Sequence, residues 1–556
     1  SEQTFDTGGT LGLGYEYSKQ HKVDFVSLLS RQTQKGAFFA RAVASDAGFA
    51  TDQERITLDY IEGQLITNQL TGRHTLVDAG GLKIKWQAGY SVADRDVLDR
   101  RTYGRFRAVG SDDPFLLGFG QSGEASEPRR SWEFLQDRTL DLGIDLSLPF
   151  EFTETLRGDF KWGARGTRRD RDFESVRFAY SSPATQRSDL FRIAQYVPNP
   201  ENVLTPFFFG PGGFDLTELN TSIRGGGNAN IYDGAQDVNA FYLLGDVFVG
   251  ELFEIQAGAR LENSTITVAT GDPAAGATVA SRLTDSDILP SLNATWFISR
   301  KTQVRIGASQ SLNRPQFREL AEVDFLDPET RFLTIGNAQL RSAKLTNYDL
   351  RFEQYWSNSS AASVGVFYKD IKNPIELNID ASAGNQVVRS FQNANSAKDY
   401  GIEFDARQDM SILKEVAPVL QFAYVAGNFS RIESRVSLPD GSTRRLQGQS
   451  NYLVNATLGY SNPAQRTDAT LLFNIFGDRL GEVGINDLPN STEKSYPMLD
   501  FNIRQGFGQH WQIGLKARNL LDPRIDIEQG QFNGAAALQR SYKLGRSGQI
   551  SLQYQF

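Results

Sequence analysis

The chain closes on Ile550-Ser551-Leu552-Gln553-Tyr554-Gln555-Phe556, in which apolar and polar residues alternate without a break. A strand with this period has one polar and one apolar face. So regular an apolar face at a chain end needs an apolar cover. In a transmembrane β-barrel lipid supplies that cover, while the polar face lines the lumen.

The same alternation recurs along the whole chain. Leu82, Ile84, Trp86, Ala88 and Tyr90 alternate with Lys83, Lys85, Gln87, Gly89 and Ser91. Trp511, Ile513, Leu515 and Ala517 alternate with Gln512, Gly514, Lys516 and Arg518. Each run exceeds or approaches the roughly 9–11 residues that a tilted strand needs to cross a bilayer. Nineteen strands are predicted, over 8–18, 21–34, 53–73, 80–107, 129–149, 152–178, 237–249, 252–270, 283–298, 301–314, 344–357, 360–380, 388–410, 417–436, 444–461, 466–480, 492–506, 510–530 and 541–556. The fold class is therefore all-β, an antiparallel transmembrane barrel occupying residues 1–556 as one domain.

Connections alternate in length. Short ones, such as Ser18–His21, Pro149–Phe152, Ser411–Val416 and Asn462–Gln465, fall between long ones at 35–52, 108–128, 179–236, 271–282, 315–343, 381–387, 437–443, 481–491 and 531–540. Outer-membrane barrels have short periplasmic turns and longer extracellular loops, which sets the expected direction of every strand. Trp86, Trp296, Trp356 and Trp511 all fall near the short turns, where an aromatic girdle would meet the lipid interface.

Composition narrows the function. Gly numbers 51 and Phe plus Tyr 57, against 19 Pro and no Cys, a mix that favours strands and turns without disulfide staples. No apolar run is long enough for a transmembrane helix. A net charge of −8 argues against nucleic acid as a partner. The three histidines, His21, His74 and His510, all map to the short-turn end, so a Ser-His-Asp arrangement at the outer rim is excluded. With no G-x-S-x-G, H-E-x-x-H or P-loop pattern, the expectation is no enzyme, no catalytic residue, no cofactor and no Cys/His metal site.

From residue 301 the chain resembles a known family. Ser311-Leu312-Asn313-Arg314-Pro315-Gln316-Phe317-Arg318-Glu319-Leu320 is similar to a strand-to-loop passage of TonB-dependent outer-membrane receptors. Gly336-Asn337-Ala338-Gln339-Leu340, Asn347-Tyr348-Asp349-Leu350-Arg351-Phe352-Glu353, Phe367-Tyr368-Lys369 and Pro374-Ile375-Glu376 follow in the family's order. So do Asn393-Ala394-Asn395-Ser396-Ala397, Tyr400-Gly401-Ile402-Glu403-Phe404 and Asn519-Leu520-Leu521-Asp522. The resemblance is close over 301–556 and looser over 8–300. It implies a 22-stranded barrel, a plug domain in the lumen and energy coupling through the TonB complex. The implied function is import of a scarce nutrient, often a ferric siderophore. A scaffold barrel for surface proteins and a passive pore are the alternatives. The last strand also resembles the one that outer-membrane proteins present to their assembly machinery, which makes Tyr554 and Phe556 the expected assembly signal.

Nineteen strands do not close antiparallel, because the first and last run the same way. Unpaired edges cannot face lipid. The expectation is that the chain supplies strands 4 to 22, and that a preceding segment carries the plug and three more strands. Outer-membrane lipid and lipopolysaccharide are expected around the wall, with a surface lipoprotein as a further partner.

Substrate contacts are expected on the long loops. Loop 179–236 carries an aromatic cluster with Phe207, Phe208, Phe209 and Phe214. Arg314, Arg318 and Arg331, in or beside 315–343, could meet an anionic ligand or pair with the acids of the same loop. The charge runs Asp94-Arg95-Asp96, Asp99-Arg100-Arg101 and Arg168 to Asp172 sit at strand tops, either on lipopolysaccharide phosphates or in cross-strand ion pairs.

Overall fold

The computed structural model describes residues 2–46, 49–118, 128–181, 230–271, 279–327, 333–357, 359–380, 388–438, 442–484, 489–532 and 535–555, with a few positions between 193 and 218. Among them one sheet holds 22 strands. Three are stubs of two to four residues, Leu116–Leu117, Asp215–Glu218 and Thr443–Arg444. The other nineteen form a single antiparallel meander. They are β1 (Glu2–Ser18), β2 (His21–Asp46), β3 (Phe49–Leu76), β4 (Leu82–Ala108), β5 (Arg129–Thr153), β6 (Leu156–Ser181), β7 (Ile231–Val249), β8 (Phe253–Thr270), β9 (Val279–Ser299) and β10 (Thr302–Asn313). β11 (Ala343–Ser357), β12 (Ser360–Lys372), β13 (Ser396–Asp409), β14 (Ala423–Ser437), β15 (Tyr452–Asn462), β16 (Thr467–Phe476), β17 (Pro497–Phe507), β18 (Trp511–Arg518) and β19 (Ser547–Tyr554) complete it. Among the described residues β1 pairs with β2 and β19 pairs with β18; the two are not partners of each other.

The wall is inverted relative to a water-soluble core. Leu142 and Ile288 stand 50 % and 68 % exposed on the outer face, whereas Asp246, Glu262, Asp287 and Glu353 are buried on the inner one. Only an apolar surrounding makes this arrangement favourable. Trp296, Trp356 and Trp511 lie on the outer face close to the short turns. His21 and His74 are cross-strand partners at that same end, and Trp86 Nε1 donates to His74 Nε2 at 3.0 Å.

The loop end departs from the sequence expectation in three ways. The predicted loop 35–52 is an extended hairpin, with β2 and β3 paired as far as Asp46 opposite Phe49. The predicted strands 360–380 and 388–410 each break: β12 stops at Lys372, and Ile375–Asp380 and Val388–Asn393 pair in a different sheet. Asn373 takes a left-handed φ of 53° and precedes Pro374, so the ladder cannot continue there. The predicted strand 510–530 breaks likewise after β18, where Asn519 (φ 55°) and Asp522 (φ 46°) flank the turn into Pro523. At the other end the predicted turn Ser411–Val416 is longer. It holds two 3-10 turns, Met410–Leu413 and Pro418–Phe422.

The segments that leave the wall pair with one another. Asp324–Leu326, Leu333–Ile335, Val388–Asn393, Ile375–Asp380 and Val483–Gly484 form a five-stranded sheet drawn from three separate connections. Arg389 pairs with Glu482, and Arg444 pairs with Glu376 at 2.5 Å, so charges as well as ladders tie the connections together.

Candidate functional site

The site is built where one of these connections folds against the inner wall. β10 ends at Asn313, and Arg314 turns back toward β8. Its Nη2 donates to Glu262 Oε1 at 2.5 Å and its Nε to Ser264 Oγ at 2.8 Å. A short helix, α1 (Phe317–Leu320), follows. Glu319 accepts from the Gln316 backbone N–H at 2.9 Å, closing its first turn. Phe317, Leu320, Ala321, Val323 and Leu340 pack on Phe173, Tyr232, Ile266 and Val268 of the wall. The guanidiniums of Arg169 and Arg171 lie 5.3 and 5.6 Å from the Phe317 ring centre, and both pair with Asp137. The second quoted motif locks the first: Gly336 N–H donates to Ala321 O at 3.0 Å and Asn337 N–H to Glu319 O at 2.6 Å. A side chain at 336 would collide with that same carbonyl, its Cβ only 2.1 Å away.

Between this inner segment and the wall of β3 to β7 lies a cavity of about 530 Å³. Eight arginines line it, Arg55, Arg95, Arg100, Arg129, Arg130, Arg171, Arg177 and Arg318, against three carboxylates, Glu133, Asp324 and Asp327. The lining thus carries an excess of cationic groups in a chain whose net charge is −8.

A β-bulge creates part of this wall. Asp99 adopts φ 62°, and the pairing of β4 with β3 and β5 shifts by one residue around it. Before the bulge odd-numbered residues such as Arg95 and Val97 face inward; after it Arg100 and Thr102 do. Without the extra residue Arg100 would point outward. Asp99 accepts from Arg130 Nε at 2.6 Å and from Arg101 Nε at 2.9 Å, which holds the bulge in place.

Most of the arginines are committed. Arg100 pairs with Asp59 at 2.5 Å and Glu133 at 2.8 Å, Arg171 with Asp137 at 2.5 Å, and Arg95 with Glu133 at 3.6 Å. Arg177 Nε donates to Asn230 Oδ1 at 3.0 Å. Cross-strand pairing is thus the arrangement for these charge runs. Arg55 and Arg318 differ: among the described residues no carboxylate lies within ion-pair distance of either. Arg318 rests on the Phe325 ring, 4.4 Å from its centre, and the surrounding protein lowers its pKa by desolvation.

The expected ligand residues therefore separate. Arg318 lines the cavity, whereas Arg314 is an anchor held by Glu262 and Ser264. Phe208 is buried. Phe207, Phe209, Phe214, Arg331 and Phe556 lie outside the described residues. Tyr554 pairs opposite Trp511, with ring centres 4.7 Å apart. Sequence reasoning missed Arg55 altogether. It placed Arg95 and Arg100 only in charge runs at strand tops, on lipopolysaccharide phosphates or in cross-strand ion pairs, because neither the bulge nor the docked segment has a local signature.

Inverted wall, alternating connections and loops folded inward together define a transmembrane barrel of the outer-membrane class. The model of the TonB dependent receptor-like beta-barrel family matches residues 85–520, and the chain belongs to that family. Solved structures agree in fold. The siderophore receptor PiuA from Acinetobacter baumannii superposes with a TM-score of 0.58 at 11 % identity, over 99 % of this chain and 80 % of its own. The copper transporter OprC gives 0.58 at 11 %, over 100 % and 80 %. The ferric-catecholate import receptor Fiu from E. coli K12 gives 0.52 at 13 %, over 100 % and 81 %. A comparison with curated proteins gives no match. The chain is a receptor of the bacterial outer membrane, and its function is TonB-dependent import of a scarce nutrient.

Proposed function

We propose that the imported nutrient is an anionic metal chelate of the ferric-siderophore kind, and that it enters from the loop end. The observation that carries this reading is the arginine-lined cavity beneath the folded-in connections. Arginine suits carboxylate-rich and other oxyanionic ligands because its planar fork donates to two oxygens at once. In this reading the long connections are extracellular and the short turns periplasmic. Further strands would complete the edges of β1 and β19 that have no partner among the described residues, and a plug domain coupled to the TonB complex would fill the lumen. PiuA, a siderophore receptor, and Fiu, a ferric-catecholate import receptor, fit this proposal in kind.

The test is uptake. Cells carrying the receptor as their sole candidate importer should grow on a panel of ferric chelates under iron limitation, and cells lacking it should not. Growth that is indifferent to the receptor for every chelate, with growth restored by a non-iron nutrient, would replace this substrate class.

A further inference from the structure

We infer that Arg55 and Arg318 form an anion subsite that grips the oxyanion groups of a compact polyanion, carboxylate or phosphate, whether or not a metal is bound to it. The inference rests on the import reading above and deepens it. Both side chains line one cavity of about 530 Å³, within the range of small-molecule sites and too small for a folded protein. Five of their neighbours are already held: Arg95, Arg100, Arg130 and Arg171 by carboxylates, and Arg177 by Asn230. Among the described residues no carboxylate lies within ion-pair distance of Arg55 or Arg318, and Glu133 and Asp327 attract Arg318 only from farther off.

Arg55 is half-buried and Arg318 exposed at the cavity, and an anion bound there would supply the charge that neither finds at ion-pair distance. Arginines outnumber carboxylates in the lining by eight to three, and Asp59, Asp99 and Asp137 behind it offset part of that excess without reversing it. Phe325, beneath Arg318, holds that guanidinium by its ring face and leaves the N–H edges free to donate. The recognition is therefore of oxygen atoms. A metal at the centre of the ligand would act only by gathering those oxygens into one compact group.

The probes are citrate and inorganic pyrophosphate, both free of metal, titrated calorimetrically into the full-length receptor purified from outer membranes. Sucrose serves as the uncharged control. At least one anion should bind, sucrose should not, and high salt should weaken the binding. Citrate alone would point to a carboxylate ligand, pyrophosphate alone to a phosphate. Arg55→Gln and Arg318→Gln should each weaken the binding about tenfold or more. Arg165→Gln, whose arginine pairs with Asp141 at 2.9 Å outside the cavity, should leave it unchanged. Retained heat-modifiable migration on gels shows that each variant is folded. The inference is overturned if neither anion binds the wild type, or if folded Arg55→Gln and Arg318→Gln bind like it. A receptor that imports its nutrient but binds neither anion ends this inference alone; one that binds them without importing ends the import reading alone.

Discussion

Phe317 occupies the space that Gly234 leaves empty: a Cβ on Gly234 would stand 2.8 Å from the ring. These residues are 83 positions apart (317 less 234), yet the wall is shaped at one to receive the other. Gly234→Ala should therefore push α1 off the wall at a cost of about 1–3 kcal/mol, the range for overpacked sites. Faster amide exchange over 314–327 and 333–342, with little change in the barrel strands, is the expected readout. Pairing the change with Phe317→Leu should recover part of the loss.

Arg314 and Glu262 are a largely enclosed ion pair, and removing one partner leaves the other charge without its main counterpart. Arg314→Ala should cost about 3–5 kcal/mol, toward the lower figure because Arg260 also pairs with Glu262 at 2.7 Å. Denaturant titration of the folded barrel checks this. The double change Arg314→Ala with Glu262→Gln should be more stable than Arg314→Ala alone, since the stranded charge is gone.

Asp99 should resist β-branched replacement. Its left-handed backbone suits Asp or Asn, and Asp99→Val should cost about 1–3 kcal/mol in strain beyond the lost contacts with Arg130 and Arg101. Asp99→Asn should be the mildest substitution. Deleting residue 99 should do more: Arg100 and Thr102 would turn outward, and anion binding should fall although the barrel still assembles.

Burial raises the Glu319 pKa, and the hydrogen bond from the Gln316 backbone N–H only partly opposes it. A carboxyl group with a raised folded-state pKa contributes stability that is complete below its ordinary range of about 4.3 and is lost as pH climbs through the raised value. Glu319→Gln keeps the acceptor and never ionises. Its thermal midpoint should match the wild type in acid and exceed it at neutral pH. A gap that is widest in acid would contradict this assignment.

Much of the wall was legible because each strand meets two solvents. Lipid on one side and a polar lumen on the other impose a period of two that any local window reveals, as in Leu82 to Ser91 or Ile550 to Tyr554. Connection lengths added an expected direction for the strands, and nineteen strands appear in the predicted order. Alternation alone did not say where the chain leaves the wall. At Asn373-Pro374 the apolar positions pass from even (Val364, Val366, Tyr368) to odd (Ile375, Leu377, Ile379), and at Asn519 to Pro523 the alternation runs on; at both places a left-handed residue and a proline break the ladder and the chain leaves the wall.

The site depended still more on tertiary structure. Arg314 and Arg318 are four residues apart and look equivalent in sequence, yet one is spent on Glu262 and the other opens into the cavity. Arg55 and Arg318 share that cavity only because β3 and a connection more than two hundred residues later meet inside the barrel. Alternation told which residues could face a lumen. Which lumen charges lack partners was decided by long-range packing, because a counter-ion is set by distance in space and not by spacing in the chain.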